Sequence, residues 1–202
     1  SLTYAQFPDE AAAYVQVKCL MDQMAREAGK NGLPLVIGIP TMCFGEYDAT
    51  PTTGRLIVEL ANQSLPAYIH GDRNCIYAGD AADGLLKALL KGRYGERYLI
   101  GGVNTNVESI VQQVCELANV PILEKTLRLP LAKFISRIGE IKYTLFRGEP
   151  PKLSATAIAV LALGQHFNLS KAQEELGFKA SLDQEAMIFR AYQWFKKQQM
   201  VP

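Results

Sequence analysis

Charge of one sign, histidine and long apolar runs are all scarce in this 202-residue sequence. Its 21 Lys and Arg residues face 20 Asp and Glu, a formal charge of +1, and no basic stripe or like-charge block breaks the mixture. No nucleic acid partner is therefore expected, because that binding rests on clustered cations. The longest mainly apolar runs, Leu33 to Pro40 and Ala155 to Gly164, fall well short of the roughly 20 residues that cross a bilayer. No membrane partner and no signal peptide are expected. Cys19, Cys43, Cys75 and Cys115 form neither a C-x-x-C pair nor a compact framework, so they read as small apolar residues in a reducing cytoplasm. The two histidines, His70 and His166, stand far apart without matched carboxylates, so no metal site is expected.

What is present is the composition of a globular chain, 49% hydrophobic and 20% charged, long enough to bury a sizeable core. Helical and strand patterns alternate from about residue 10 to residue 118, the signature of an α/β fold with a mostly parallel sheet. Residues 10 to 31 read as a helix capped by Asp9 and ended by Gly29 and Asn31-Gly32. Leu35 to Ile39 reads as a buried parallel strand between two prolines. A Gly/Pro/Thr-rich loop over Gly45 to Gly54 leads to a helix near 54 to 62. Short strands come next near 67 to 70 and 75 to 78, then a helix from Asp80 to Lys91 with Asp80 as its cap. A strand over 97 to 100 runs into Gly101-Gly102, and Asn106 caps a helix to Ala118. Leu123 to Leu129 is a possible strand, and helices dominate from Pro130 onward. The last, over 182 to 197, packs Phe189, Tyr192, Trp194 and Phe195.

Tyr14 and Lys18 are spaced i, i+4 on one helix face. The apolar residues Val17, Leu20, Met21, Met24 and Ala28 form a stripe centred about 300° around the helix when Tyr14 is set at zero. This predicts that the stripe is anchored in the core, with the pair at its border. An ammonium near a phenol favours the phenolate, which brings a tyrosine towards use as a general acid or base.

The order of Tyr14-x-x-x-Lys18 helix, strand Leu35 to Ile39 and loop Pro40-Thr41-Met42-Cys43-Phe44-Gly45 resembles the extended short-chain dehydrogenases/reductases, the NAD-dependent epimerase/dehydratase group. Thr50-Pro51-Thr52-Thr53-Gly54-Arg55 is similar to a segment of dihydroflavonol-reductase-like and hopanoid-associated sugar epimerase-like members. Arg73-x-x-Ile76-x-x-x-Asp80-Ala81-Ala82 resembles the stretch that leads the family's chain back to its sheet. Leu169 to Phe178, followed by the Trp194-Phe195 helix, resembles its C-terminal end. Tyr77 and Gly79 depart from the pattern, which often has His and Asp there, and Val17 replaces a common Ser.

The resemblance implies the C-terminal part of a Rossmann-type parallel sheet with a smaller, mostly helical substrate domain. Residues 1–50 would end the dinucleotide-binding domain, and 51–202 would be mainly substrate domain, with 76–100 returning to the cofactor-domain sheet. It implies Tyr14 and Lys18 as catalytic residues, and Lys18, Pro40 and Thr41 as contacts to NAD or NADP. Arg73 would bind a substrate diphosphate, with a solvated strand arginine as the alternative, and Arg55 would be a second substrate contact. The implied parent is a cytoplasmic, homodimeric oxidoreductase or epimerase that acts on a carbinol or carbonyl, in a nucleotide sugar or related small molecule, by hydride transfer.

The family's glycine-rich phosphate turn has no counterpart in these residues. Its catalytic Ser or Thr finds only Ser1 and Thr3 as candidates by type. The expectation is of a chain inactive alone, or alternatively a non-catalytic ligand- or partner-binding domain, with 10 to 39 exposing surface.

Overall fold

The computed structural model describes residues 13–146, 158, 164 and 166–202, with side chains described from 15 to 139 and at the later positions. Asp9, Ser1, Thr3, the side chain of Tyr14 and most of the Ala155 to Gly164 run lie outside the described residues.

Helix α1 (Ala13–Lys30) leads into strand β1 (Ile37–Pro40), then β2 (Met42–Phe44) and helix α2 (Arg55–Ala61). Strand β3 (Asp72–Tyr77) is followed by α3 (Ala78–Lys91), β4 (Arg97–Ile100), β5 (Val103–Asn106) and α4 (Val107–Ala118). Three further described helices are α5 (Leu129–Phe146), α6 (Ser170–Leu176) and α7 (Gln184–Lys197).

Strands β1 and β4 pair in parallel, Ile37 opposite Arg97 and Pro40 opposite Ile100. A second sheet has the order β2-β3-β5, with β2 parallel and β5 antiparallel to β3. Only Thr41 separates β1 from β2, and only Gly101-Gly102 separates β4 from β5. Two adjacent strands thus fork, and β3 enters the fork between their continuations.

Alternation along β3 sends side chains to opposite faces of this sheet. Cys75 joins a core of Phe44, Ile57, Leu60, Ile110, Val114, Met187, Tyr192 and Phe195, drawn from β2, α2, α4 and α7. Ile76 joins a smaller one with Ala81, Tyr98, Ile100, Leu176 and Phe178. Cys75 and Cys115 are buried, whereas Cys19 and Cys43 are only half-buried.

Several expectations are corrected. The anticipated strands at 67–70 and 123–129 reduce to one bridge between Tyr68 and Thr126, and the strand placed at 75–78 runs from Asp72 to Tyr77 instead. Strands β2 and β5 were not anticipated. β2 hides in the loop after Pro40, and β5 reads Val-Asn-Thr-Asn, a sequence poor in strand formers. Asn106 does cap α4, its side chain accepting from Ser109 N at 2.8 Å. Asp80 is not a cap: α3 begins two residues earlier, and the cap position is Tyr77. Its carboxylate instead accepts from Ser181 N at 2.8 Å, Ser181 Oγ at 2.7 Å and Leu182 N at 3.3 Å. The acid thereby ties α3 to the segment between α6 and α7. In α7, Tyr192 and Phe195 are buried as expected, but Phe189 is 47% exposed.

The largest difference concerns α1. Val17, Leu20, Met21 and Met24, expected in the core, are 54–60% exposed. The inward face carries Cys19, Asp22, Arg26 and Gly29 instead. Asp22 pairs with Arg97 of β4 at 3.0 Å, and a Cβ on Gly29 would fall inside van der Waals contact of the Gly95 backbone. Helical periodicity shows that a stripe exists, not which side of the helix the described chain covers.

Candidate active site

Ligands of open parallel sheets bind beyond the carboxyl ends of the strands, where connections diverge. Here β1 and β4 end together at Pro40 and Ile100. Pro40 is exposed at the strand end, where a residue without an N–H breaks no ladder. Thr41 N donates to Ile100 O at 3.0 Å, holding the fork's first residue against β4. Its Oγ1 is buried and has no partner among the described residues.

Asn74 of β3 stands at the fork and is completely buried. Its Oδ1 accepts from Gly102 N at 3.1 Å, and its Nδ2 donates to Asn104 Oδ1 at 2.7 Å. Asn104 in turn donates to Phe167 O at 3.1 Å and accepts from Phe167 N at 3.0 Å. One amide thus joins β3, the Gly101-Gly102 connection, β5 and the segment before α6. Gly102 is required by close approach, since a Cβ there would lie 2.5 Å from Cys75 O. A Cβ on Gly101 would meet Asn74 Oδ1 at 2.5 Å and Thr41 Cγ2 at 3.1 Å, which shows how tightly these groups gather. Sequence reasoning missed Asn74; in a strand that reads Asp-Arg-Asn-Cys-Ile-Tyr its polarity does not stand out.

Arg73 precedes Asn74 and is only 3% exposed, so the solvated alternative is excluded. Its Nη1 donates to the carbonyl of Asp72, while Nη2 is buried without an acceptor among the described residues. Burial pushes the guanidinium below its ordinary pKa, and the neighbouring Cys75 and Asp72 act in the opposite sense. A buried cationic donor left open costs free energy, and such an atom calls for an explanation in function.

Arg55 opens α2 and forms its ion pair within that helix, 3.8 Å from Glu59, with its side chain 70% exposed. Lys18 is exposed on α1, one turn beyond Tyr14. The structure therefore gathers Thr41 and Asn74 at the fork beside the end of β1 at Pro40, sends the Arg73 side chain to the opposite face of β3 from Asn74, and engages Arg55 with Glu59.

At the carboxyl end of β3, Arg190 Nε bonds Glu46 Oε1 at 2.7 Å, and its guanidinium lies 4.8 Å from the Tyr77 ring centre. Burial tends to raise the Glu46 carboxyl, but bonds from its own backbone, Arg190 and Tyr77 hold it below its ordinary pKa. A Cβ on Gly79 would press into the Tyr77 ring. The two departures from the family pattern are thus coupled, the larger ring at 77 filling the space that a side chain at 79 would take. His70 lies 3.5 Å from Glu108, and His166 lies 3.7 Å from Asp72. No group of three or more metal-ligating side chains occurs among the described residues.

Residues 2–101 match the model of the NAD dependent epimerase/dehydratase family. Over 189 residues the chain is 29% identical to a Synechocystis sp. protein with the provisional name of dihydroflavonol 4-reductase, covering 91% of this chain and 54% of that protein. A solved nucleoside-diphosphate-sugar epimerase from Pseudomonas aeruginosa is 36% identical and superposes with a TM-score of 0.84, covering 100% of this chain and 61% of its own. A dTDP-glucose 4,6-dehydratase from Bacillus anthracis, solved in complex with NAD, shares the fold with a TM-score of 0.67 and 20% identity, covering 98% of this chain and 58% of its own. The chain spans little more than half the length of these relatives. Its parallel β1–β4 pair with flanking helices is of the Rossmann type seen in those structures. By the matched family model and these likenesses together, the chain belongs to the NAD-dependent epimerase/dehydratase family of extended short-chain dehydrogenases/reductases.

Proposed function

We propose that the chain is the proton-transferring and substrate-binding part of a cytoplasmic NAD(P)-dependent oxidoreductase or epimerase that acts on a carbinol or carbonyl, in a nucleotide sugar or related small molecule. The observation that carries this reading is the buried Nη2 of Arg73 on β3, which has no acceptor among the described residues. A diphosphate oxygen is the acceptor suited to a guanidinium fork.

Residues 1–50 would then end the cofactor domain and 51–202 would mainly form the substrate domain, with 76–100 returning to the cofactor-domain sheet. The pairing of β4 with β1 supports that return. Tyr14 would give or take the proton at the substrate oxygen. Lys18, one helical turn or about 6 Å along the axis, would stabilise the phenolate and hold the cofactor ribose. Pro40 and the open Thr41 Oγ1 would border the nicotinamide, a fit of residue types to a polar, planar group at the strand ends. The nicotinamide, when bound, supplies the hydride chemistry. Arg55 would add a substrate contact by leaving Glu59. A homodimer is the proposed assembly.

Calorimetric titration of the chain with UDP and dTDP tests the anchor: both should bind, and Arg73→Met should weaken them at least tenfold. Equal affinity in the variant overturns the diphosphate role. In a protein that joins this chain to a glycine-rich cofactor half, Tyr14→Phe should abolish most turnover and leave cofactor affinity unchanged. Undiminished turnover overturns the proton-transfer role.

A further inference from the structure

Helix α5 is built the wrong way round for a core helix. Its inward face carries small residues, with Ala132 completely buried and Ser136 2% exposed. Its bulky residues point out: Leu131 is 51% exposed, Phe134 62%, Ile135 45% and Ile138 51%. At about 100° per residue these four fall within an arc of about 100° on one side of the helix. An apolar stripe of this width costs free energy in water unless something covers it.

Charge identifies the cover. Between Glu124 and Glu140 the sequence has four cations, Lys125, Arg128, Lys133 and Arg137, a net charge of +2 with those two acids counted, in a chain whose overall charge is only +1. All four cations are exposed. Lys133 and Arg137, one turn apart, border the stripe on one flank. Neither forms an ion pair among the described residues. No helix among the described residues is long and apolar enough to cross a membrane. A bulky apolar stripe with a basic border on such a helix is the pattern of an element that lies in the interface plane, with its cations at the headgroups.

We propose that the outward face of α5 is a docking surface for an anionic lipid bilayer, its stripe entering the acyl boundary and its basic edge taking the headgroup phosphates. The protein would then work at the bilayer surface, without spanning it.

Sedimentation of the 202-residue chain with vesicles of phosphatidylcholine containing 30% phosphatidylserine tests this directly. The wild-type chain should sediment with these vesicles and at least tenfold less with pure phosphatidylcholine, since each basic group near an anionic leaflet adds roughly fivefold to partitioning. Lys133→Glu with Arg137→Glu should remove the preference for phosphatidylserine. Phe134→Asp with Ile138→Asp should lose at least tenfold in binding while circular dichroism stays native, because both positions are solvent-facing. Met21→Asp with Met24→Asp, which alters the exposed stripe of α1, should bind as wild type. The proposal is overturned if the wild-type chain stays in the supernatant, if the α5 variants bind unchanged, or if the α1 variant loses binding while the α5 variants keep it. It is also overturned if gel filtration shows a dimer that Phe134→Asp with Ile138→Asp dissociates and no vesicle binding is found, because a second copy then covers the face.

Discussion

Asn74→Asp changes one NH₂ group into an oxygen at the fork, where the amide network has no donor to spare for it. In the native chain Oδ1 of Asn74 receives the Gly102 N–H at 3.1 Å and Nδ2 donates to Asn104 Oδ1 at 2.7 Å. An ionised carboxylate at position 74 would still accept from Gly102, but its second oxygen would face the acceptor Oδ1 of Asn104. Turning the Asn104 amide over would relieve that clash only by giving up both of its bonds to Phe167. The introduced charge is moreover fully buried, because position 74 is 0% exposed.

Burial raises a carboxyl pKa by up to several units, and each unit is worth about 1.4 kcal/mol. A rise of two to three units predicts a loss of about 3–4 kcal/mol at pH 8. When protonated, the new carboxyl has an O–H that can donate to Asn104, so at pH 4 the variant should lie within about 1 kcal/mol of wild type. The native state of the variant holds its proton to higher pH than the unfolded state, whose carboxyl titrates near 3.9. The stability deficit should therefore open as pH rises from about 4 and level off above the folded pKa. Urea unfolding followed by the single tryptophan, Trp194, between pH 4 and 8 measures it. A deficit under about 0.5 kcal/mol at pH 8, or one that does not widen with pH, would refute the role assigned to this amide.

Asp80→Ala removes three bonds to Ser181 and Leu182. Because Ser181 is exposed and water can replace part of the loss, unfolding should show about 2–3 kcal/mol of destabilisation, with Asp80→Asn losing clearly less. Gly79→Ala should cost about 1–3 kcal/mol by overpacking against Tyr77. Most of that cost should vanish when Tyr77 is also made Ala, which a double-mutant cycle by denaturation reads directly. Burial pushes the Cys75 thiol up to about 12, so at pH 8 only about one molecule in ten thousand carries the thiolate. Native Cys75 should resist alkylation that half-buried Cys19 accepts, and mass spectrometry of the labelled sites would expose equal labelling.

The fold was legible where periodicity and end signals agree. The Asn106 cap, the parallel strand between Pro34 and the loop after Pro40, and the final helix all stand close to where local chemistry puts them. It was illegible where tertiary contacts decide. Asp80 has the type and position of a cap, yet a segment a hundred residues later claims its carboxylate. Val103 to Asn106 lacks strand-forming side chains and becomes a strand because β3 supplies a ladder and Asn74 a tie. The α1 stripe was correctly counted and wrongly faced. At the candidate site, Pro40, Thr41 and Arg73 are named by the family resemblance, but the burial of Arg73 and the amide network around Asn74 depend on the fork, which no local pattern encodes.

The contact between Gly29 and Gly95 gives α1 the mechanics of a lever. Fifteen residues separate Gly29 from Tyr14, about 22 Å of helix, so a tilt of roughly 3° at the glycine contact moves the backbone of Tyr14 by about 1 Å. Misplacement on that scale can cost about a hundredfold in rate. Any group added at residue 29 or 95 would therefore be felt at the far end of the helix, which makes the turn at residues 92–96 an adjusting screw for the proton transfer proposed at Tyr14, which it never touches.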